Sequence, residues 1–147
     1  MTSEYIIESA LKEWEYASKQ TKKSVEEMSA ERWDFTPNEK FGSFAKQVRH
    51  VICCRGVFIA GFKGDKINFK NKPHFYSGPL SRIELVDALE KSTIWVVDAL
   101  KGLAGKDLTK YTVDYYGDPL TFIENFSALT SHEGLHRGQW LLYKALC

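Results

Sequence analysis

The sequence predicts an all-α protein, a four-helix bundle with long crossover connections, from three observations. First, four segments have the length and the 3.6-residue apolar periodicity of amphipathic helices. Second, no strong strand pattern competes with them, and only residues 111–116 alternate enough to suggest a short strand or hairpin before the last helix. Third, the connections exceed about ten residues, which is long for a simple up-down chain. The 147 residues fit one domain, spanning 1–147.

The first two predicted helices differ in how deeply they should be buried. The first runs from about Ser3 to Met28. Its apolar stripe consists of Ile7, Leu11, Trp14, Val25 and Met28. The second begins after Ser43 and reaches about Phe62. Its charged residues are only Lys46, Arg49 and Arg55. A helix with so few charges is expected to be buried on more than one side.

The third and fourth predicted helices each begin at a capping box, in which a hydroxyl and a carboxylate three residues apart satisfy free backbone N–H groups. Ser81 and Glu84 form the first box, and Thr121 and Glu124 form the second. Gly102 is expected to end the third helix. The fourth continues almost to residue 147.

Composition and charge exclude several classes of partner. Twenty Lys and Arg against 19 Asp and Glu leave a net charge of +1, which provides no field for nucleic acid or for an anionic membrane. No apolar run approaches the roughly 20 residues that cross a bilayer. Cys53, Cys54 and Cys147 form no C-x-x-C motif and are odd in number, so free thiols in a reducing cytoplasm are expected. The polar N-terminal segment does not resemble a signal peptide.

Two histidines one helical turn apart are the main chemical signal. His132 and His136 lie on the inward face of the fourth helix. The apolar members of that face are Phe122, Phe126, Leu129, Trp140 and Tyr143. Imidazoles at i and i+4 can reach one ion, as zinc sites on helices require. The alternative is that each is a core histidine bonded to a neighbour, but burying two imidazoles together has a desolvation cost that a shared metal offsets.

The segment His132-Glu-Gly-Leu-His136 also matches the H-E-x-x-H pattern of zinc proteases, but that interpretation fails. Such sites need a third ligand, which in the common protease families lies downstream of the second histidine. Residues 137–147 contain no His, Asp or Glu. The extended H-x-x-G-x-x-H form is absent as well. For Glu133 two roles therefore remain open, a general base or orienting group, and a partner for an arginine of a neighbouring helix.

A third ligand has to come from upstream, where the available histidines are His50 and His74. His50 lies in the middle of the second helix, on a face that can look into the bundle, whereas His74 lies in a Pro- and Gly-rich loop where exposure is expected. One histidine from a facing helix and an i,i+4 pair would form a three-histidine site. Three protein ligands leave coordination positions for water or substrate, as in catalytic metal sites.

Four stretches resemble the DinB-like superfamily, which includes YfiT-type metal-dependent hydrolases and thiol-dependent S-transferases. They are Trp33-Asp-Phe-Thr-Pro37, residues 43–50 ending in His50, Tyr116-Gly-Asp-Pro-Leu-Thr121, and His132-Glu-Gly-Leu-His136-Arg-Gly-Gln139. The similarity spans nearly the whole chain, and its last motif is the most specific. Many members have H-H-R-G-Q where this chain has Leu135-His136, a departure at a position that does not ligate.

The resemblance implies a bundle in up-down-down-up order that binds a divalent metal, nickel or zinc, through His50, His132 and His136. It also implies a homodimer. The divalent metal ion could activate water, which would make the protein a hydrolase. It could instead activate a low-molecular-weight thiol, which would make it an S-transferase. Either enzyme would act on a small-molecule substrate. The alternative is a non-catalytic bundle that binds a metal or a small ligand, related to stress, since the family name denotes damage-induced expression.

Overall fold

Four α-helices and one β-hairpin make up the computed structural model, which describes residues 2–71 and 78–146. The helices are α1 (Ser3–Glu26), α2 (Phe44–Phe62), α3 (Arg82–Lys101) and α4 (Phe122–Leu146), and the strands are β1 (Thr112–Tyr115) and β2 (Asp118–Thr121). Single 3₁₀ turns occupy Ala30–Arg32 and Phe69–Asn71. His74 and Cys147 lie outside the described residues.

The helix ends agree closely with the predicted ones, with two differences. The Ser43 hydroxyl accepts a hydrogen bond from the Lys46 amide and begins α2 as expected. The first helix ends at Glu26 rather than at Met28, although Met28 is still buried. At the start of α3 the predicted box is incomplete, because the Ser81 hydroxyl donates to the Glu84 carboxylate and makes no bond to the backbone.

The predicted hairpin forms immediately before α4. Strands β1 and β2 pair antiparallel, with Val113 opposite Leu120. Tyr116 and Gly117 connect them at φ values of 55° and 97°, the pair of positive angles that a tight two-residue hairpin loop requires. The chain then enters α4 through the second capping box: the Glu124 amide donates to the Thr121 hydroxyl, and the Thr121 amide donates to the Glu124 carboxylate.

The helices pack so that α1 and α2 each contact both α3 and α4. Two apolar clusters fill the space between them. One surrounds Trp14, Phe58 and Phe122, and the other surrounds Phe44 and Trp140. The inward face predicted for α4 is buried along its length, except that His132 is half-buried. The helices α2 and α4 therefore face each other across the region where the histidines lie.

Within residues 2–71 and 78–146, no helix combines the length and the apolar character needed to cross a bilayer.

Candidate metal centre

The facing helices α2 and α4 bring three histidines into one cluster. His132 and His136 are one turn apart on α4, and their Nε2 atoms lie 3.1 Å from each other. The Nε2 atom of His50, on α2, lies 3.3 Å from that of His132. The ring centroids of His50 and His136 are 4.8 Å apart. The structure thus brings together the three histidines that the sequence singled out.

A cysteine joins this cluster from α2. Cys54 lies one turn after His50, and its Sγ atom is 3.5 Å from the His50 Nε2 atom. The donor atoms of Cys54, His50 and His132 all lie within 4.8 Å of one another. Cys54 and His136 are buried, whereas His50 and His132 are half-buried. The cluster therefore has a closed side and a side that solvent can reach.

The donor atoms suit a transition-metal ion in both chemistry and spacing. Imidazole nitrogen and thiolate sulfur are the ligands that zinc prefers. Two nitrogens bound tetrahedrally to one zinc ion at its usual bond lengths lie about 3.3 Å apart. The observed Nε2 separations of 3.1 and 3.3 Å match that spacing. A divalent ion such as zinc or nickel fits this set of donors.

Directly beside the cluster, a buried ion pair connects α2 to α4. The Arg55 guanidinium donates to both carboxylate oxygens of Glu133, over 2.8 and 2.9 Å, and both side chains are fully buried. The Thr21 hydroxyl of α1 donates to the same carboxylate. The third guanidinium nitrogen of Arg55 donates to three groups of α3, the carbonyl of Leu89 and the hydroxyls of Ser92 and Thr93. One buried polar network thus contacts all four helices.

The charge balance of this network keeps Glu133 ionised. Burial opposes ionisation of the carboxyl, but the Arg55 charge and hydrogen bonds, the Thr21 hydroxyl and His132 together hold the pKa of Glu133 below its ordinary value. The Arg55 guanidinium also lies over the Trp14 ring, 4.9 Å from its centroid. Of the two roles left open for Glu133, the structure places it as the partner of an arginine from a neighbouring helix.

Arg137, which directly follows His136, attaches α4 to α1. The Arg137 guanidinium donates to the Ala17 carbonyl and to the Thr21 hydroxyl, each over 3.1 Å. Thr21 therefore contacts both Arg137 and Glu133. This arrangement gives the arginine of the motif a role in docking α4 against α1.

Sequence reasoning missed two residues of this region, Cys54 and Arg55. Cys54 had a usable signal, because it lies at i+4 from His50 and so on the same face of α2. Motifs written along the chain, such as C-x-x-C, do not detect a cysteine in this position. Arg55 had no comparable signal, because its partner Glu133 lies on another helix, 78 positions later in the chain.

The chain is similar to known proteins along almost its whole length. A family model described as the DinB superfamily matches residues 13–140. The crystal structure of a DinB-like protein from Bacillus cereus ATCC 10987 superposes with a TM-score of 0.75 at 23% identity, over 92% of this chain and 89% of that chain. That of the DinB-like protein YjoA from Bacillus subtilis gives 0.72 at 19% identity, with the same coverage. A comparison with curated proteins finds no match.

The family match extends from α1 to Trp140 and so includes the parts of α2 and α4 that carry the histidines and Cys54. The two crystal structures share the fold over 92% of the chain. Because the match covers most of the sequence and the fold agrees with it, the chain belongs to the DinB superfamily.

Proposed function

We propose that this protein binds one divalent metal ion, zinc or nickel, through His50, His132 and His136. The observation that carries the proposal is the convergence of three Nε2 atoms, at 3.1 and 3.3 Å, from two helices. His132 and His136 have the i,i+4 spacing that lets two imidazoles on one helix share an ion. Imidazole nitrogen suits both proposed metals.

The protein supplies a shaped and partly dry environment for that ion. His136 is buried beside Trp140, whereas the half-buried His50 and His132 mark the side from which a small molecule can approach. The Arg55–Glu133 pair fixes α2 against α4 and so holds His50 opposite the α4 pair. When bound, a divalent ion on neutral imidazoles would supply Lewis acidity toward water or a low-molecular-weight thiol.

The reaction class that this arrangement supports is hydrolysis, or S-transfer with a low-molecular-weight thiol, on a small-molecule substrate. A second function, metal or small-ligand binding without turnover and related to stress, is favoured by one observation. Cys54 lies in the cluster, and a site with four protein ligands is typical of structural rather than catalytic metals.

We further propose an up-down-down-up bundle that acts in the cytoplasm as a homodimer. Exposed leucines on α4 support the dimer. Leu135, Leu142 and Leu146 share one face of that helix and are each about 60% exposed. In this bundle α1 and α2 each pack against both α3 and α4, so these two consecutive helices lie at diagonally opposite corners. That placement supports the up-down-down-up order.

Metal analysis tests the binding proposal. The metal content and zinc affinity of the purified protein are measured by elemental analysis and calorimetry, together with those of His50→Ala, His132→Ala and the control His74→Ala. We expect about one ion per chain in the wild type and in the control. We expect at least a hundredfold weaker binding in the other two variants. Unchanged affinity in both would refute the site.

Turnover assays separate the enzyme from the binding protein. Metal-loaded protein is incubated with activated esters and amides, and separately with small thiols and electrophiles. Metal-dependent turnover that is lost in His132→Ala supports an enzyme. Absence of turnover in both sets, in protein that binds metal stoichiometrically, supports the non-catalytic function.

A further inference from the structure

We propose that Cys54 is a fourth protein ligand of this metal centre, so that the site is made of three imidazole nitrogens and one thiolate sulfur. The inference rests on the proposed function, because it concerns the same ion. It changes the nature of the site from an open centre to one in which the protein supplies every ligand of a tetrahedral ion.

The spacing of the donor atoms supports this assignment. A sulfur and a nitrogen bound tetrahedrally to one zinc ion lie about 3.5 Å apart, given the usual Zn–S and Zn–N lengths. The Cys54 Sγ atom lies 3.5 Å from the His50 Nε2 atom. The His132 donor atom completes a group whose members all lie within 4.8 Å of one another. The separation of Cys54 and His50 thus fits the ligation of one ion by both residues.

The helix geometry explains why Cys54 and not its neighbour takes this position. His50 and Cys54 are at i and i+4 on α2, facing His132 and His136 at i and i+4 on α4. The two pairs bring donors from both helices to His132, whose Nε2 atom lies 3.3 Å from that of His50 and 3.1 Å from that of His136. Cys53 is turned about 100° away around the helix and is half-buried. The two adjacent thiols therefore form a natural pair of test and control.

Ligation by Cys54 has definite chemical consequences. The thiol loses its proton to solvent, a sulfur–metal bond forms, and no electron is transferred, so the step needs no oxidant. The soft thiolate favours zinc or nickel over magnesium and calcium, which prefer oxygen ligands. An exogenous thiol or water molecule must then displace the Cys54 sulfur or bind as an additional ligand.

Cobalt(II) provides a direct probe, because a thiolate bound to cobalt gives a charge-transfer absorption in the near ultraviolet that imidazole ligands do not give. Wild type, Cys54→Ser and Cys53→Ser are titrated with cobalt chloride. Bound cobalt is measured independently by equilibrium dialysis. Circular dichroism reports whether each variant is folded. Cys54→Ala serves as a second test variant if Cys54→Ser does not fold.

We expect the charge-transfer band in wild type and in Cys53→Ser. Cys54→Ser and Cys54→Ala should lack it while retaining the visible bands of cobalt bound to histidine. Their zinc affinity should fall at least tenfold, since loss of even an outer partner of a ligand typically costs about 10- to 100-fold.

Two other results have distinct meanings. If wild type binds cobalt without the charge-transfer band, or if folded Cys54→Ser or Cys54→Ala keeps the band, Cys54 is not a ligand and the three-histidine site remains. If wild type binds neither cobalt nor zinc in dialysis, the metal-binding function itself is refuted, and the Cys54 assignment with it.

Discussion

Arg55 of α2 and Glu133 of α4 form a fully buried ion pair with two parallel hydrogen bonds of 2.8 and 2.9 Å. Each of the two residues directly follows a member of the candidate metal centre, Cys54 on one helix and His132 on the other. The pair therefore sets the distance between the two helices at the level of the candidate metal centre. Removing one member of such a pair should strongly destabilise the fold, because the other charge stays buried without a counter-ion.

Removing the carboxylate should strongly destabilise the fold. We expect Glu133→Ala to lower the free energy of unfolding by about 3–5 kcal/mol, because the Arg55 guanidinium loses its counter-ion at a fully buried position. Urea denaturation followed by circular dichroism measures the change. Glu8→Ala, at an exposed position of α1, is the control and should change stability by less than about 0.5 kcal/mol.

The double variant Arg55→Met with Glu133→Leu sharpens this test. Because both charges are removed together, we expect it to be more stable than Glu133→Ala. A Glu133→Ala protein within about 1 kcal/mol of wild type would show that the pair does not hold α2 and α4 together.

Two helical glycines should respond in opposite directions to alanine. A Cβ atom on Gly61 of α2 would lie 2.6 Å from the Ile67 Cδ1 atom, so Gly61→Ala should destabilise the protein by about 1–3 kcal/mol despite its better helix propensity. A Cβ atom on Gly138 of α4 meets nothing within 4 Å, so Gly138→Ala should stabilise by about 0.5–1 kcal/mol. Thermal unfolding of the two variants measures both effects. A stabilising Gly61→Ala would contradict the close packing of Gly61 against Ile67.

Zinc should stabilise the folded protein through the histidine cluster. At a zinc concentration 100 times the dissociation constant, binding adds about 2.7 kcal/mol of stability. For a domain of this size the Tm should rise by about 5–10 °C, and a chelator should reverse the rise. Differential scanning calorimetry provides the measurement. His50→Ala should show almost no shift; an equal rise in that variant would mean that zinc binds elsewhere.

The capping box of α4 should make stability depend on pH in a defined direction. Hydrogen bonds from the Thr121 amide and hydroxyl hold the pKa of Glu124 below its ordinary value of 4.5. A carboxylate whose pKa is lowered by folding stabilises the protein above its unfolded pKa, and that contribution is lost as the pH falls through the folded value. Glu124→Gln should therefore be less stable than wild type at neutral pH.

The stability difference between wild type and Glu124→Gln should shrink as the pH falls below 4.5. Denaturant unfolding at a series of pH values measures this difference. In a Thr121→Ala background the difference should be smaller but not lost, because the hydroxyl bond is removed while the residue 121 amide still donates to the Glu124 carboxylate. A difference that grows on acidification would contradict the assigned direction.

The exposed leucine face of α4 provides a test of the proposed homodimer. Leu142→Glu places a charge in the middle of this face, so the protein should sediment as a monomer while wild type sediments as a dimer. Sedimentation velocity over a range of concentrations measures this. Leu141→Glu is the control, because Leu141 is also exposed but points to a different side of α4. Lys144 is less suitable, because it is half-buried and already pairs with Glu27. Dimerisation that survives Leu142→Glu would place the interface elsewhere.

Periodicity predicted most of the helical structure, because helix ends and inward faces depend on residues that are close in sequence. The Ser43 cap and the Thr121–Glu124 box formed as predicted. The spacing of His132 and His136 likewise follows from one helix alone. What periodicity cannot supply is the side chain that faces these residues from another helix. The buried pair of Arg55 with Glu133 is such a contact between α2 and α4, whereas the position of Cys54 beside His50 follows from their i,i+4 spacing on one helix.

The position of Trp140 makes the candidate centre observable without a label. Its buried indole ring lies 6.4 Å from the ring of His136, centroid to centroid. A paramagnetic ion such as cobalt(II) at the cluster would quench emission from an indole this close. Occupancy can therefore be followed in the unmodified protein by fluorescence, with Trp140→Phe identifying the emitting residue, so that metal exchange could be timed as well as detected.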